Sequence, residues 1–296
     1  MPSPFPAAQT PTVVVGGTGR YGQAQIAGMR SAGTNIVATV APGRGGSSID
    51  GIPTFDTVAE AVAAKDVRAA VIYTPAAGVR DSIVECTDAG IEFAVVAAEF
   101  VPVHDTLFAL ARARARNMWV VGPNSLGFAI PGTILLGSIP PEFTSSGPVA
   151  LFGRSGTLSS TVARLLTKEG IGQSFVAHIG GDVLCGRNPH EYLEAAAKDL
   201  ATKVIVFLGE IGGPKEYHML DLIRTIQKPV VAVVVGRHAP PGKRMGHAGA
   251  LIEGERGTAN AKIEALRDAG AHIANDILSV SLRVKELLNE SAHQHA

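Results

Sequence analysis

Thr12-Val13-Val14-Val15-Gly16-Gly17-Thr18-Gly19-Arg20-Tyr21-Gly22 decides the fold. Three consecutive valines with no polar residue between them suit a strand buried on both faces. Gly17, Gly19 and Gly22 then match G-x-G-x-x-G where that strand turns into a helix. Outward from this point, the apolar runs at 36–40, 69–73, 93–97 and 119–121 also lack polar-apolar alternation. Between them lie helical patterns such as Val79, Ile83, Val84 and Cys86, closed by Gly90. Strand-helix alternation of this kind predicts a parallel, doubly wound α/β sheet. Proline, serine and glycine break the rhythm over 131–147, which reads as a linker. A second alternation follows, with strands at 149–152, 175–178, 204–208 and 230–235. Its helices carry the Leu158/Val162/Leu165/Leu166 stripe and the segments 258–269 and 276–288. The expectation is two α/β domains over 11–130 and 148–290, with disordered tails at 1–10 and 291–296.

Bulk properties set wide bounds. A length of 296 residues gives each domain room for its own core. Lysine and arginine number 26 and so do aspartate and glutamate, which argues against nucleic acid as the main partner. Cys86 and Cys185 are the only cysteines, so a disulfide framework is not expected and a reducing, cytoplasmic compartment fits. MPSPFPAAQTPT has neither a basic start nor a long apolar run, and no arginine precedes Arg20, so no signal or transit peptide is expected. Apolar stretches are strand-sized, so no membrane span is expected either.

Glycines in a strand-helix turn let backbone N–H groups approach a phosphate at the helix N-terminus. The fingerprint alone favours a dinucleotide. An NAD site, however, needs an acid near the end of the second strand to hold a ribose. Here that strand runs out as Ala38-Thr39-Val40-Ala41-Pro42-Gly43-Arg44, with no acid. Arg44 suits a ligand with an extra phosphate, which leaves NADP and coenzyme A open.

Gly242-Lys243-Arg244-Met245-Gly246-His247-Ala248-Gly249-Ala250 is the second informative stretch. A strand at 230–235 leads to it, and Pro240-Pro241 stiffens the approach. Small neighbours let a bulky group reach the His247 ring, and Lys243 and Arg244 favour an anion, which suits an imidazole that accepts a phosphoryl group. The plainer account is a glycine-rich surface loop with an incidental histidine. Gly153-Arg154-Ser155-Gly156-Thr157 lies between a strand and a helix and could hold a phosphate there; a simple N-cap by Ser155 or Thr157 competes. Glu210 falls just past the 204–208 strand, where doubly wound folds bind ligands, and could orient His247. On the residues alone, a solvated glutamate is the plainer account. His178, after Phe175-Val176-Ala177, reads as a hydrogen-bonded core histidine, and His190 as a surface residue at a helix start. The chain has no metal-ligand spacing.

Together GGTGRYG (16–22), APGRGG (41–46), GPNSLG (122–127), GRSGTL (153–158), IGGD (179–182), GEIGG (209–213) and GKRMGHAGA (242–250) resemble, in order, the alpha subunit of succinyl-CoA synthetase, an NDP-forming acid–CoA ligase. That resemblance implies a Rossmann-like CoA-binding domain followed by a flavodoxin-like ligase domain. It implies that Gly17, Thr18, Gly19, Arg20, Tyr21, Arg44, Thr74, Pro75, Ala97, Ala98 and Glu99 bind CoA. It makes His247 the phosphorylated residue, Glu210 its partner, and Ser155, Gly156 and Thr157 a phosphate site. The sequence holds no G-x-x-x-x-G-K-[ST] and no acid cluster for Mg²⁺. By resemblance, NTP and Mg²⁺ belong to an ATP-grasp beta subunit in a hetero-oligomer. The chain departs from the family at Ser160, where a tyrosine associated with the acid substrate is usual, and at Ser125-Leu126 and Val183-Leu184-Cys185. These departures imply a small carboxylic acid that is succinate or a more polar relative, such as malate, citrate or sulfoacetate. Two other readings stay open: an NADP-dependent oxidoreductase using the 16–22 loop, and a non-catalytic CoA-binding regulator.

Overall fold

A computed structural model describes residues 3–240 and 242–293. The chain divides into two compact units, Met1–Pro141 with Leu184–Arg187, and Glu142–Val183 with Asn188–Ala296.

The first unit contains β1 (Thr12–Val15), α1 (Arg20–Ser31), β2 (Ile36–Val40), β3 (Ser48–Ile49), β4 (Ile52–Phe55) and α2 (Val58–Lys65). It continues through β5 (Ala69–Ile72), α3 (Val79–Asp88), β6 (Phe93–Val96), α4 (Val103–Ala115) and β7 (Trp119–Val121), then a hairpin of β8 (Gly127–Ile130) and β9 (Ile134–Gly137). Its main sheet runs β3-β4-β2-β1-β5-β6-β7, parallel except for the β3–β4 pair. β1 is buried at every position, as the valine run requires, and Val15 pairs with Val40 on one side and Ile72 on the other. Val13, Val15, Ala70, Ile72, Ala94 and Val96 form the core with Val79, Ile83 and Cys86 of α3. Leaving aside β3, the order is that of a dinucleotide-binding fold, with β1 and β5 flanking the point where the winding direction changes.

The second unit contains β10 (Ser146–Gly153), α5 (Gly156–Lys168), β11 (Gln173–His178), α6 (Pro189–Lys198), β12 (Val204–Glu210) and α7 (Leu220–Thr225). β13 (Val230–Val235), α8 (Ala259–Asp268), β14 (His272–Ile273) and α9 (Ser279–His293) follow. The order β14-β13-β12-β10-β11, all parallel, is that of a flavodoxin-like sheet. Its switch point lies between β10 and β12, where Gly153 pairs with Leu208.

Three boundaries differ from the sequence reading. The stretch 131–147 is not a free linker: it carries β9 and the first residues of β10. Its glycines and serines mark turns between short strands, which mimic linker composition. Residues 3–10 are not a disordered tail, because the Phe5 ring lies 4.7 Å from that of Phe128, 5.5 Å from Trp119 and 6.5 Å from Phe93. Burying an aromatic ring against three others repays the ordering of a short segment. Helix α9 runs on to His293, into the stretch read as a C-terminal tail, and 294–296 lie outside the described residues. Pro241 also lies outside them.

Candidate functional sites

In the first unit, the carboxyl ends of β1, β2, β5 and β6 carry the sequence-predicted residues. Gly16 turns out of β1 at φ +80°, and a side chain there would meet the Thr74 backbone. A Cβ at Gly17 would stand 2.6 Å from Val14 Cγ1, and one at Gly22 would stand 2.5 Å from the Gly17 backbone. These two glycines let α1 pack tightly onto the strand end. Gly19 differs: it is the N-cap of α1, has no side-chain cap bond and faces open space. The first N–H groups of a helix have no intrahelical acceptor, so this end suits an anion that comes close to backbone.

Arg44 sits in the exposed turn after β2, and its side chain has no hydrogen-bond or ion-pair partner among the described residues. Gly45 N–H donates to Asp56 Oδ1 at 2.9 Å, which fixes that turn. Thr74 and Pro75 follow β5, with Thr74 Oγ1 3.0 Å from Ser82 Oγ. Ala97, Ala98 and Glu99 follow β6, and the Asn124 N–H donates to the Ala98 carbonyl at 2.8 Å. Tyr21 is 60% exposed; its hydroxyl lies 3.0 Å from Ser138 Oγ, which also meets the Tyr73 hydroxyl at 3.1 Å. The loops therefore cluster at the switch point of the sheet, and the cradle they form has free cationic and backbone donors.

In the second unit, Glu210 is the last residue of β12 rather than a residue beyond it. His247 Nδ1 stands 2.7 Å from Glu210 Oε2. The other carboxylate oxygen, Oε1, lies 3.0 Å from Arg154 Nη1, and both side chains are almost wholly buried, at 2% and 6% exposure. Arg154 Nη2 also donates to the carbonyls of Gly181 and Asp182, at 3.3 and 3.2 Å. The chain Arg154–Glu210–His247 thus crosses the switch point from β10 to β12 to the 242–250 loop. Glu210's hydrogen bond raises the His247 pKa above its ordinary value, against the opposing effect of burial; the Glu210 charge and Asp182 add to the rise and Arg154 opposes it. Nδ1 is committed to Glu210, so Nε2 is the ring nitrogen left to act as a nucleophile. The His247 side chain is a quarter exposed, enough to be reached.

Glycines press the loop into place. A Cβ on Gly181 would stand 2.6 Å from the His247 ring, and one on Gly249 would collide with the Arg154 guanidinium. The loop closes on itself through Met245 N–H to Ala250 O at 2.9 Å and Ala250 N–H to His247 O at 3.1 Å. Lys243 and Arg244 stand exposed beside it. Ser155 is the N-cap of α5 and accepts from the Leu158 N–H at 3.4 Å. That bond leaves the amides of Gly156 and Thr157, at the helix start, available to a further acceptor. Ser160 lies about one turn into α5, 6% exposed, and its hydroxyl has no hydrogen-bond partner among the described residues.

His178 is fully buried, and desolvation pushes its pKa down to about 3, so it is neutral. His190 is half-buried rather than on the surface, in the first turn of α6, its ring 6.1 Å from that of His218. Sequence reasoning gave no role to Arg154, although it lies inside the quoted GRSGTL motif. It also passed over Gly181, Glu216 and Lys262. Lys262 Nζ, fully buried, donates to the carbonyls of Glu210 at 2.8 Å and Gly212 at 2.6 Å and to Glu216 Oε2 at 2.6 Å. A lysine in a helical pattern gives no local signal of burial, so only the fold could reveal it.

The two halves define a class. Residues 7–100 match the CoA binding domain model and 152–272 the CoA-ligase model, so a CoA-binding unit is joined to a ligase unit. The succinate–CoA ligase [ADP-forming] subunit alpha 1 of Archaeoglobus fulgidus is 43% identical over 94% of this chain and 96% of that protein. The corresponding subunit of Aquifex aeolicus is 41% identical over 94% and 92%. The chain belongs to the family of alpha subunits of ADP-forming succinate–CoA ligases. Its fold is shared with ATP citrate lyase from Methanothrix soehngenii, at TM-score 0.87 and 24% identity, over 98% of this chain and 51% of that one. A dinucleotide-forming acetyl-coenzyme A synthetase from Candidatus Korarchaeum cryptofilum matches at TM-score 0.76 and 23% identity, over 92% and 59%. Among the described residues, no helix is long and apolar enough to cross a membrane.

Proposed function

We propose that this chain is the phosphohistidine-bearing alpha subunit of a carboxylic acid–CoA ligase, and that His247 Nε2 is the atom phosphorylated. The 2.7 Å contact between His247 Nδ1 and Glu210 carries this reading. It fixes the ring and directs the lone pair of the other nitrogen outward, as a nucleophile paired with an orienting carboxylate requires. His247 Nε2 attacks the terminal phosphorus of the NTP, and the bond to the NDP oxygen breaks. A carboxylate oxygen of the acid then attacks that phosphorus, the P–N bond breaks, and an acyl phosphate forms. The CoA sulfur attacks the acyl carbon, losing its proton, and inorganic phosphate leaves.

Each residue has an assigned part. Glu210 stabilises the positive charge that develops on the imidazole, and Arg154 keeps the carboxylate aimed. The amides of Gly156 and Thr157, with Ser155, receive the phosphoryl oxygens at the positive end of α5. In the first unit, Gly17, Thr18, Gly19, Arg20 and Tyr21 cradle CoA phosphate, Arg44 pairs with a further CoA phosphate, and Thr74, Pro75, Ala97, Ala98 and Glu99 line the rest. NTP and Mg²⁺ are supplied by a beta subunit of the ATP-grasp class, so the chain works in a hetero-oligomer in the cytoplasm. The acid is succinate or a more polar relative such as malate, citrate or sulfoacetate, and the Ser160 hydroxyl, without a hydrogen-bond partner among the described residues, receives the added polar group.

The test is incubation of the reconstituted complex with γ-labelled NTP. The expected outcome is an acid-labile, base-stable label that disappears in His247→Asn. Label that persists in that variant removes His247 from the reaction. Titration with CoA and with NADP separates the oxidoreductase reading: tighter binding of NADP would overturn the ligase assignment.

A further inference from the structure

Lys262 occupies a place where nothing local favours a lysine. It lies in the first turn of α8, near the positive end of the helix dipole. It is fully buried, and desolvation lowers its pKa in the face of the attraction of Glu216. Removing an ammonium from water is costly unless each of its N–H groups is satisfied. Here the satisfaction is complete: three donors meet three acceptors, at Glu216 Oε2, Glu210 O and Gly212 O. Two of those acceptors are main-chain carbonyls on either side of Ile211, where β12 ends. Gly212 itself holds φ +83°, and a Cβ there would collide with the backbone of Gly249 and Leu251, which follow His247. Glu216 also reaches back toward the Glu210 amide, at 3.5 Å.

We infer that Lys262, neutralised by Glu216, is a positioning residue for phosphoryl transfer: its ammonium clamps the backbone that carries Glu210, and so fixes the carboxylate against the His247 ring. The proposal rests on the reading of His247 as the phosphoryl acceptor. Lys262 touches no reacting atom. Its effect passes through the Glu210 main chain to Oε2 and from there to Nδ1. The ion pair with Glu216 is the means by which a cation can be kept in the interior; the two carbonyl contacts are what it does there.

The experiment separates the clamp from the ion pair. Lys262→Met alone strands the Glu216 carboxylate in the interior and lowers stability. The double variant Lys262→Met/Glu216→Leu removes both charges together, a change that is often neutral for stability. In the double variant, melting should fall by less than in Lys262→Met, because two carbonyls lose a donor but no charge is stranded, and CoA binding should stay close to wild type. Labelling of His247 by γ-labelled NTP in the reconstituted complex should slow by about tenfold to a hundredfold, as misplacement of a catalytic group does. NMR titration of ¹³C-labelled histidine in the full chain should show the His247 pKa falling toward its ordinary value as the Glu210 contact loosens, with Arg154 and Asp182 unchanged around it. A stable double variant that labels at the wild-type rate, with an unmoved His247 titration, overturns the clamp. If the wild-type complex takes no label at His247, the functional reading fails by itself, and the titration still decides whether Lys262 positions Glu210.

Discussion

Gly181→Ala is the sharpest probe of the histidine site. Gly181 does not adopt a left-handed φ, so alanine carries no backbone penalty there. The new methyl, however, would stand 2.6 Å from both Cγ and Cδ2 of His247 and 2.9 Å from Nδ1. Ordinary carbon–carbon separations are about 3.5–4.0 Å, so the ring must retreat by roughly 1 Å. A retreat of that size lengthens the 2.7 Å bond to Glu210 beyond hydrogen-bonding range. A misplacement of about 1 Å is worth up to about a hundredfold in rate. The over-packing itself costs about 1–3 kcal/mol of stability. Pre-steady-state labelling of His247 by γ-labelled NTP in the reconstituted complex, beside melting and CoA titration of the full chain, is the assay. The labelling rate should fall by ten- to a hundredfold, with CoA affinity unchanged. Labelling within a factor of about two of wild type would refute the claim that a fixed imidazole–carboxylate geometry limits the reaction.

Glu210→Gln removes the largest cause of the raised His247 pKa. With the free imidazole as the proposed nucleophile, wild-type labelling should fall as pH drops through that raised value; in the variant the fall should move to lower pH and the plateau rate should drop, and an unmoved acid limb would exclude the pairing. The same shift makes the pair's contribution to stability present below the unfolded-state pKa of histidine and lost as pH rises through the folded-state value, which melting curves across that range would check. Arg44→Ala should weaken CoA by about tenfold or more, and dephospho-CoA less, since a lost charged hydrogen bond is worth about 1.5–3 kcal/mol; equal losses in calorimetry would place the contact elsewhere on CoA. Ser160→Tyr places an aromatic ring at a buried position of α5 and should shift the specificity constants for malate, citrate and sulfoacetate down relative to succinate; a wild-type enzyme that prefers succinate by a wide margin would exclude a polar acid.

Legibility of the fold followed burial. β1, β5, β6 and β12 are buried at every position, so their unbroken apolar runs were readable without any tertiary knowledge. β3 and β9 were not, because a two-residue strand and a four-residue hairpin strand flanked by proline, glycine and serine look like connecting loop. Phe5 was misjudged for a related reason: its partners Trp119 and Phe128 are far away in sequence, and only the fold supplies them. The histidine site split in the same way. His247, Glu210 and the 153–157 turn were placed by the resemblance of their motifs to the family, since on context alone an incidental loop histidine and a solvated glutamate were the plainer accounts. Arg154, Glu216 and Lys262 are long charged side chains, which sequence reasoning assigns to solvent by default; their burial comes from the β10–β12 switch point and the close approach of α8.

The pairing of charges around His247 sets how the site answers to salt. Arg154 offsets Glu210 and Lys262 offsets Glu216, so these two buried pairs add no net charge beneath the imidazole, and buried Asp182 adds a negative one. An incoming phosphoryl anion therefore finds little net attraction from below. On the proposed reading its attraction comes from exposed Lys243 and Arg244 and from the amides that open α5. Fields from exposed cations die away over about 8 Å at physiological ionic strength, whereas buried pairs are little screened. Added salt should accordingly slow the arrival of the anion and leave the alignment of the imidazole untouched: capture and chemistry are driven by two electrostatic systems that respond to different handles.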